Sequence, residues 1–226
     1  MAGRIVTVDG PAGSGKSTLG RRLATALRLA FIDTGLFYRG VTLAAAERGI
    51  GAGDAEGLAE VARTATIEVG VDPSRQPEVR VNGREVSSAA LHDPTTTELL
   101  AAVSRSHAVR SVLLQPQRSL AVSGAVAAGR DCGTVVFPDA PVKIYLDADA
   151  SVRTTRRASQ LEGHGAAVDV ALLEREVVAR DSSDASRAAA PLRRPPGSLA
   201  IDTGAVGIDE MVDVALDWCR RHGVTP

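Results

Sequence analysis

The chain reads Asp9-Gly10-Pro11-Ala12-Gly13-Ser14-Gly15-Lys16-Ser17-Thr18 close to its beginning. Residues 10–17 fit the pattern G-x-x-x-x-G-K-[ST], which follows the short apolar run 5–9 and precedes leucines at helical spacing. Glycines let backbone N–H groups turn toward phosphate oxygens, and the N-terminus of the following helix adds its positive dipole. The stretch therefore predicts a strand, a phosphate-binding loop and a helix, with residues 10–18 contacting a nucleoside triphosphate.

Two side chains of this loop are predicted to act on the triphosphate directly. Lys16 places a compact ammonium near the β- and γ-phosphates, and Ser17 offers a hydroxyl to Mg²⁺. Lys16 and Lys143 are the only lysines among 26 basic residues. A lysine kept in such an arginine-biased chain favours a role that arginine cannot perform. A glycine-rich turn that binds no ligand is the alternative interpretation.

The rest of the chain alternates strand-like and helix-like segments. Apolar runs at 31–33, 125–128, 142–146 and 199–202 are separated by stretches with helical spacing. This order predicts an α/β fold of three layers, with a parallel sheet covered by helices on both faces. Ligands of such sheets bind at the carboxyl ends of the strands.

A different pattern occupies residues 66–86. Three short strand-like pieces are found there, and Asn82-Gly83 between two of them is a strong signal for a tight hairpin turn. The pattern predicts a small antiparallel insertion in the α/β fold. Helical spacing returns at about 96–118.

Composition limits the class of protein. The 226 residues carry a formal net charge of −1, which argues against a nucleic-acid-binding protein held by a broad basic field. No apolar run reaches membrane-spanning length and no signal peptide is visible, so we expect no membrane contact. Two cysteines are too few for a disulfide framework and indicate a reducing compartment, the cytoplasm. With no internal repeat, a monomer is the expected state.

Arginines gather in two regions that are predicted to face an anion. Arg153, Arg156 and Arg157 fall on one face of a helix, and a second cluster lies at 180–187. The glycine-rich stretch 162–167 separates the two clusters. A basic segment with a glycine hinge, here expected at positions 163 and 165, is typical of a lid over a phosphate site. Ordinary solvated helix faces are the alternative.

A second cationic group is predicted at the strand ends. Arg39, Arg110 and Arg130 each lie near the end of a predicted element, and Arg130-Asp131 directly follows a core strand. These positions predict a cradle for an acceptor, in which Asp131 accepts a hydrogen bond from an amino group on a base. A satisfied ion pair at the strand end is the alternative.

Further motifs follow the phosphate loop in a fixed order. They lie at 33–39, 129–140, 153–157, 180–187, 191–192 and 201–203. This series, which covers nearly the whole chain, resembles the bacterial cytidylate kinases. The resemblance implies transfer of the γ-phosphate of ATP to CMP or dCMP with Mg²⁺. It also implies a P-loop core at 1–33, 117–152 and 188–226, an insertion at 34–116 that binds the nucleoside monophosphate, and a lid at 153–187.

The resemblance implies a role for each matching residue. The implied catalytic residues are Lys16, Arg153, Arg157 and Arg187, with Arg153 and Arg157 in the lid facing the ATP phosphates. The implied substrate contacts are Thr34, Arg110 and Asp131 at the cytosine, Arg39, Arg130 and Arg187 at the acceptor phosphate, and Arg180 and Asp184 at the ribose. An aspartate that accepts from the exocyclic amine favours cytosine, because the uracil carbonyl would leave the carboxylate unpaired.

Two departures from the family pattern affect the predicted base-reading side. Ala101 stands where the family usually has a serine, and Leu91-His92 stands where it usually has Ile-Arg. Three interpretations stay open: neutral variation, compensation by Ser104 or Thr96, or a different acceptor such as UMP or a modified cytidine nucleotide. A hypothesis of another class is a non-catalytic nucleotide-binding protein or an NTPase switch. The arginine clusters argue against it, because a switch needs no acceptor cradle.

Overall fold

The computed structural model describes residues 2–162, 168–187 and 190–226. The strands are β1 (Ile5–Asp9), β2 (Ala30–Asp33), β3 (Ile67–Val69), β4 (Val79–Val81), β5 (Arg84–Val86), β6 (Ala125–Gly129), β7 (Val142–Asp147) and β8 (Leu199–Asp202). The helices are α1 (Lys16–Leu27), α2 (Gly35–Glu47), α3 (Ala55–Thr64), α4 (Ser88–Leu91), α5 (Thr97–Arg105), α6 (His107–Ser119), α7 (Ala150–Glu162), α8 (Val170–Ala185) and α9 (Ile208–Arg221).

Five parallel strands form the central sheet, in the order β2-β6-β1-β7-β8. Along β1 the side chains alternate between two cores, with Ile5 in one and Val6 and Val8 in the other. Helices α1 and α9 pack on the Val6 face, and α2 and α6 pack on the opposite face. The predicted three-layer α/β fold with a parallel sheet is therefore confirmed.

The sheet register places the ends of three strands at one edge. Asp9 at the end of β1 pairs with Gly129 of β6 on one side and with Tyr145 of β7 on the other. The phosphate loop, the segment after Gly129 and the segment after Asp147 consequently leave the sheet side by side. This is the edge at which parallel sheets bind ligands.

The antiparallel insertion also forms. Strands β3, β4 and β5 make a separate sheet in that order. Asn82 and Gly83 both have positive φ, 51° and 77°, which is the geometry of a type I′ hairpin turn. The hairpin predicted from Asn82-Gly83 is confirmed.

Helices α3, α5 and α6 differ from the sequence prediction. Helix α3 was not predicted, although Asp54 caps it by accepting a hydrogen bond from the Gly57 N–H at 2.8 Å. The helical stretch expected at 96–118 is divided at Ser106, whose backbone is extended and whose hydroxyl accepts from the Val109 N–H. A serine that caps the following helix competes with continuation of the preceding one.

No helix in the described part of the chain is long and apolar enough to cross a membrane.

Candidate active site

The phosphate loop has a backbone that requires its glycines. Gly10, Gly13 and Gly15 have φ of 152°, 77° and 89°, values that other residues rarely adopt. A Cβ at Gly10 would collide with the carbonyl of Leu146, and a Cβ at Gly13 would lie 3.1 Å from Cβ of Arg153. At Gly10 and Gly13 the positive φ and the lack of room for a Cβ therefore both require glycine, as the sequence pattern predicts.

Lys16 lies inside the loop. It is buried, and its Nζ donates a hydrogen bond to the Pro11 carbonyl at 2.6 Å. Burial, followed by the charge of Arg130, lowers the pKa of Lys16 well below its ordinary value. An anion at this position would stabilise the ammonium, so the site favours a phosphate close to Nζ.

Ser17 faces a carboxylate that the sequence analysis did not single out. Its Oγ donates to Oδ2 of Asp33 at 3.0 Å, and Oδ1 of Asp33 accepts from the Gly35 N–H at 3.1 Å. Asp33 is the last residue of β2 and lies at the carboxyl ends of the parallel strands, where ligands bind. That position was the signal that could have identified it. Two oxygen donors side by side are the ligand type that Mg²⁺ prefers.

One cavity of about 260 Å³ connects the phosphate loop with the predicted acceptor residues. Its wall includes Lys16, Ser17 and all eight predicted substrate contacts, namely Thr34, Arg39, Arg110, Arg130, Asp131, Arg180, Asp184 and Arg187. Arg157 also lines it, as do Asp33 and His92. Six arginines and Lys16 face three carboxylates, an excess of four positive charges. Such a cavity favours a ligand with several negative charges.

The arginines repel one another in the absence of a ligand. Burial, followed by neighbouring arginines, lowers the pKa of Arg39, Arg180 and Arg187 to about 10 in each case. The groups remain cationic at neutral pH, so the repulsion is present when the cavity holds no anion. A phosphate dianion would relieve it.

Asp184 organises two of these arginines. Its buried carboxylate accepts from Nε of Arg130 at 2.7 Å and pairs with Arg187. It lies on the last turn of α8, which runs five residues beyond the helical stretch predicted at 168–180. Its expected contact with ribose hydroxyls stays a prediction; in the structure, it holds Arg130 and Arg187 at the cavity wall.

The opposite end of the cavity carries a buried polar cluster. Arg110 pairs with Asp131, donates to the Ser104 carbonyl at 3.1 Å, and lies 5.1 Å from the ring centroid of Tyr38. Its Nε has no hydrogen-bond partner within the described residues. Thr34 Oγ1 donates to the Ala128 carbonyl at 3.0 Å. The cluster presents acceptor and donor groups of the kind that read a base edge.

The three arginines of α7 are directed to different places. Arg157 lines the cavity, whereas Arg156 donates to Thr203. Arg153 is buried beneath the phosphate loop, where it donates to the carbonyls of Ala148 and Ala12 and pairs with Asp181 at 2.6 Å. The predicted contact of Arg153 with the ATP phosphates stays a prediction, because its guanidinium is engaged by these neighbours here.

The two departures on the base-reading side differ in position. His92 and Ser104 line the cavity, whereas Ala101 does not. Ser104 lies three residues after Ala101 on α5, about one helical turn along, so compensation by Ser104 stays a prediction. The predicted hinge at Gly163 and Gly165 lies outside the described residues.

The cytidylate kinase family model matches residues 6–221. The chain is 37% identical to the cytidylate kinase of Methylococcus capsulatus over 96% of this chain and 97% of that protein. It is 39% identical to the cytidylate kinase of Rhodococcus opacus over 97% of this chain and 96% of that protein.

A longer relative is also similar. The chain is 40% identical to the bifunctional pantoate ligase/cytidylate kinase of Synechococcus elongatus, over 97% of this chain. It spans 42% of the length of that protein. The match thus covers 96–97% of this chain in both the short and the long relatives. The chain belongs to the cytidylate kinase family.

Proposed function

We propose that the protein transfers the γ-phosphate of ATP to CMP or dCMP. The single observation that carries this proposal is the shared cavity, which joins the phosphate loop to an acceptor cradle of arginines. Family membership points to the same activity. An NTPase switch would not need the cradle, and CMP rather than UMP suits the Asp131 carboxylate.

The proposed reaction is a direct displacement at phosphorus. An oxygen of the acceptor phosphate forms a bond to the γ-phosphorus as the bond from that phosphorus to the β–γ bridging oxygen breaks, and ADP leaves. The acceptor phosphate is ionised at neutral pH, since its second pKa is about 6, so no general base is required. Positioning and neutralisation of charge are what the chain has to supply.

The charged residues divide this work between the two substrates. Lys16 lines the cavity, which supports a role in holding the β- and γ-phosphates and in neutralising charge on the group in transfer. The acceptor phosphate is proposed to bind Arg39, Arg130 and Arg187, which line the same cavity. Their charges would keep two mutually repelling anions in line. At the other end, Asp131 would accept from the exocyclic amine of cytosine.

Ser17 and Asp33 fit a Mg²⁺ ion carried by the nucleotide. Their oxygens lie 3.0 Å apart at the edge of the phosphate loop, and hard oxygen donors are what this cation requires. When bound, Mg²⁺ supplies charge neutralisation on the β- and γ-phosphates. Asp33 positions the Ser17 hydroxyl and adds a negative charge beside it.

We expect Asp33→Asn to raise the Mg²⁺ concentration for half-maximal activity by about tenfold, because partners that orient a metal ligand typically contribute that much to affinity. Binding of a fluorescent ATP analogue without Mg²⁺ should change less than about twofold. Asp202→Asn is the matched control, since Asp202 also ends a strand of this sheet and accepts from the N–H two residues on. Equal Mg²⁺ requirements in the two variants would contradict the assignment.

Residues 34–116 and 153–187 are proposed to move as an acceptor-binding insertion and a lid. The second segment places Arg157, Arg180, Asp184 and Arg187 on the cavity wall, so its position determines how tightly phosphate is held.

Both cysteines are buried and free, which suits a cytoplasmic protein. The monomer expected from the sequence stays a prediction.

Substitution of the two lid arginines should separate catalysis from folding. Arg157→Ala is expected to lower kcat by about 10²-fold with little change in Tm, since Arg157 lines the cavity. Arg153→Ala removes a buried ion pair and should lower Tm by roughly 5–10 °C. Thermal unfolding and steady-state kinetics measure the two effects. A Tm that is unchanged in Arg153→Ala, with kcat lost, would instead place its guanidinium on the phosphates during the reaction.

The function is tested by coupled detection of ADP with ATP and Mg²⁺, offering CMP, dCMP, UMP and AMP in parallel. Rapid release with CMP and dCMP and much slower release with UMP is the expected result. Release with UMP or a modified cytidine nucleotide but not with CMP would mean another acceptor. If ADP is released at the same rate with and without each acceptor, the protein is an NTPase.

A further inference from the structure

Asp9 is a buried carboxyl group for which the reaction described above has no use. It ends β1, one residue before the phosphate loop. Its Oδ1 accepts from the Cys132 N–H at 2.6 Å, and its Oδ2 accepts from the Gly133 N–H at 2.8 Å. These two N–H groups open the π-helical turn Cys132–Val136, which directly follows Arg130 and Asp131.

The turn packs tightly against β1, with no room for a side chain at Gly133. A Cβ on Gly133 would lie 2.7 Å from Oγ1 of Thr7 and 3.0 Å from Oδ2 of Asp9. The same turn also fixes the backbone of Asp131, because the Asp131 carbonyl accepts a hydrogen bond from the Val135 N–H at 2.9 Å. A continuous set of contacts therefore runs from Asp9 to the residue expected to read the base.

We propose that Asp9 is a positioning residue for the acceptor, whose carboxylate clamps the turn Cys132–Val136 and thereby fixes Arg130 and Asp131. The inference rests on the proposed function for the identity of that acceptor. Asp9 would then couple the nucleotide site to the acceptor site. It directly precedes the phosphate loop, and its carboxylate is hydrogen-bonded to the turn Cys132–Val136, which we call the acceptor loop.

The clamp requires an ionised carboxyl group. A carboxylate accepts at both oxygens, whereas a protonated carboxyl or an amide turns one position into a donor that faces an N–H. Burial raises the pKa of Asp9 to about 7, against the opposing effect of the two N–H groups. The ionisable or charged groups that face Asp9 are Lys16, Arg130, Asp131, Cys132 and Tyr145. As pH falls through about 7, the clamp is expected to lose one of its two bonds.

The first test is the affinity of Asp9→Asn for each substrate. At pH 8, calorimetry should give a Kd for CMP at least about tenfold higher than in the unsubstituted protein, since small displacements of binding groups have effects of this size. The Kd for ATP should change less than about threefold. Asp147→Asn is the matched control, because Asp147 ends the neighbouring strand β7 and bonds the Ala148 N–H rather than the acceptor loop. Equal loss of CMP and ATP affinity in Asp9→Asn would overturn the proposal.

The second test needs no substitution in the protein. The amide proton resonances of Cys132 and Gly133, recorded without substrate, should titrate with a midpoint near pH 7. If the side-chain carboxyl ¹³C resonance of Asp9 titrates and these two amides do not shift with it, the clamp is overturned. If the unsubstituted protein binds no CMP, the proposed function fails, and the amide titration still decides whether Asp9 holds the turn. Omission of CMP also removes the titration of its phosphate near pH 6.

Discussion

Lys16→Met is expected to lower kcat for phosphate transfer to CMP by about 10³-fold, the largest loss we predict. Methionine keeps much of the length and packing of the side chain, but it removes the one lysine in the cavity wall. Burial, followed by the charge of Arg130, lowers the pKa of Lys16, so its full benefit is realised when a phosphate lies beside it. We expect a smaller effect on the Kd for ATP, because neutralisation of charge matters most in the transition state.

The chain offers a closely matched control. Lys143 is the other lysine, and its Nζ donates to the carbonyl of Pro138, five residues earlier, as Lys16 does to Pro11. Lys143→Met repeats the chemical change away from the cavity and should leave kcat within about twofold. Similar losses in the two variants would mean that the effect of Lys16→Met is structural.

The local parts of the site could be predicted from sequence. The phosphate loop needs a strand, glycines at positive φ and a helix N-terminus, and all three follow one another within residues 5–27. The same holds for the hairpin at Asn82-Gly83, since two adjacent residues determine the turn. The five parallel strands were predicted because each is a short apolar run.

Contacts between distant segments could not be predicted in this way. Helical spacing places Arg153, Arg156 and Arg157 on one face, but it does not tell which one reaches the cavity. That depends on Asp181 and Thr203, which lie far along the chain and engage Arg153 and Arg156. The position of Asp33 at the end of a strand could be predicted from sequence, but its contact with Ser17 could not, because that contact depends on the strand order.

Asp131→Asn is expected to abolish most of the preference for CMP. An asparagine can donate to the uracil carbonyl, so kcat/KM should fall about 10²-fold for CMP while that for UMP is unchanged or higher. Paired assays with the two acceptors measure the ratio. The simple variant has a second effect, because Asp131 also neutralises the buried Arg110. Loss of that partner should cost about 3 kcal/mol and lower Tm.

A double variant separates the two effects. The double variant Asp131→Asn/Arg110→Met removes the Arg110 guanidinium that the single variant leaves without its carboxylate partner. Tm should therefore recover much of its loss, while the preference for CMP should stay low. If the preference returned together with Tm, the single variant would have acted through disorder of the cavity, and Asp131 would not read the base. If both variants fold and still prefer CMP, the discrimination lies elsewhere, and Ser104, which also lines the cavity, is then the residue to test. Ser104→Ala alone should therefore change the acceptor ratio far less than Asp131→Asn does.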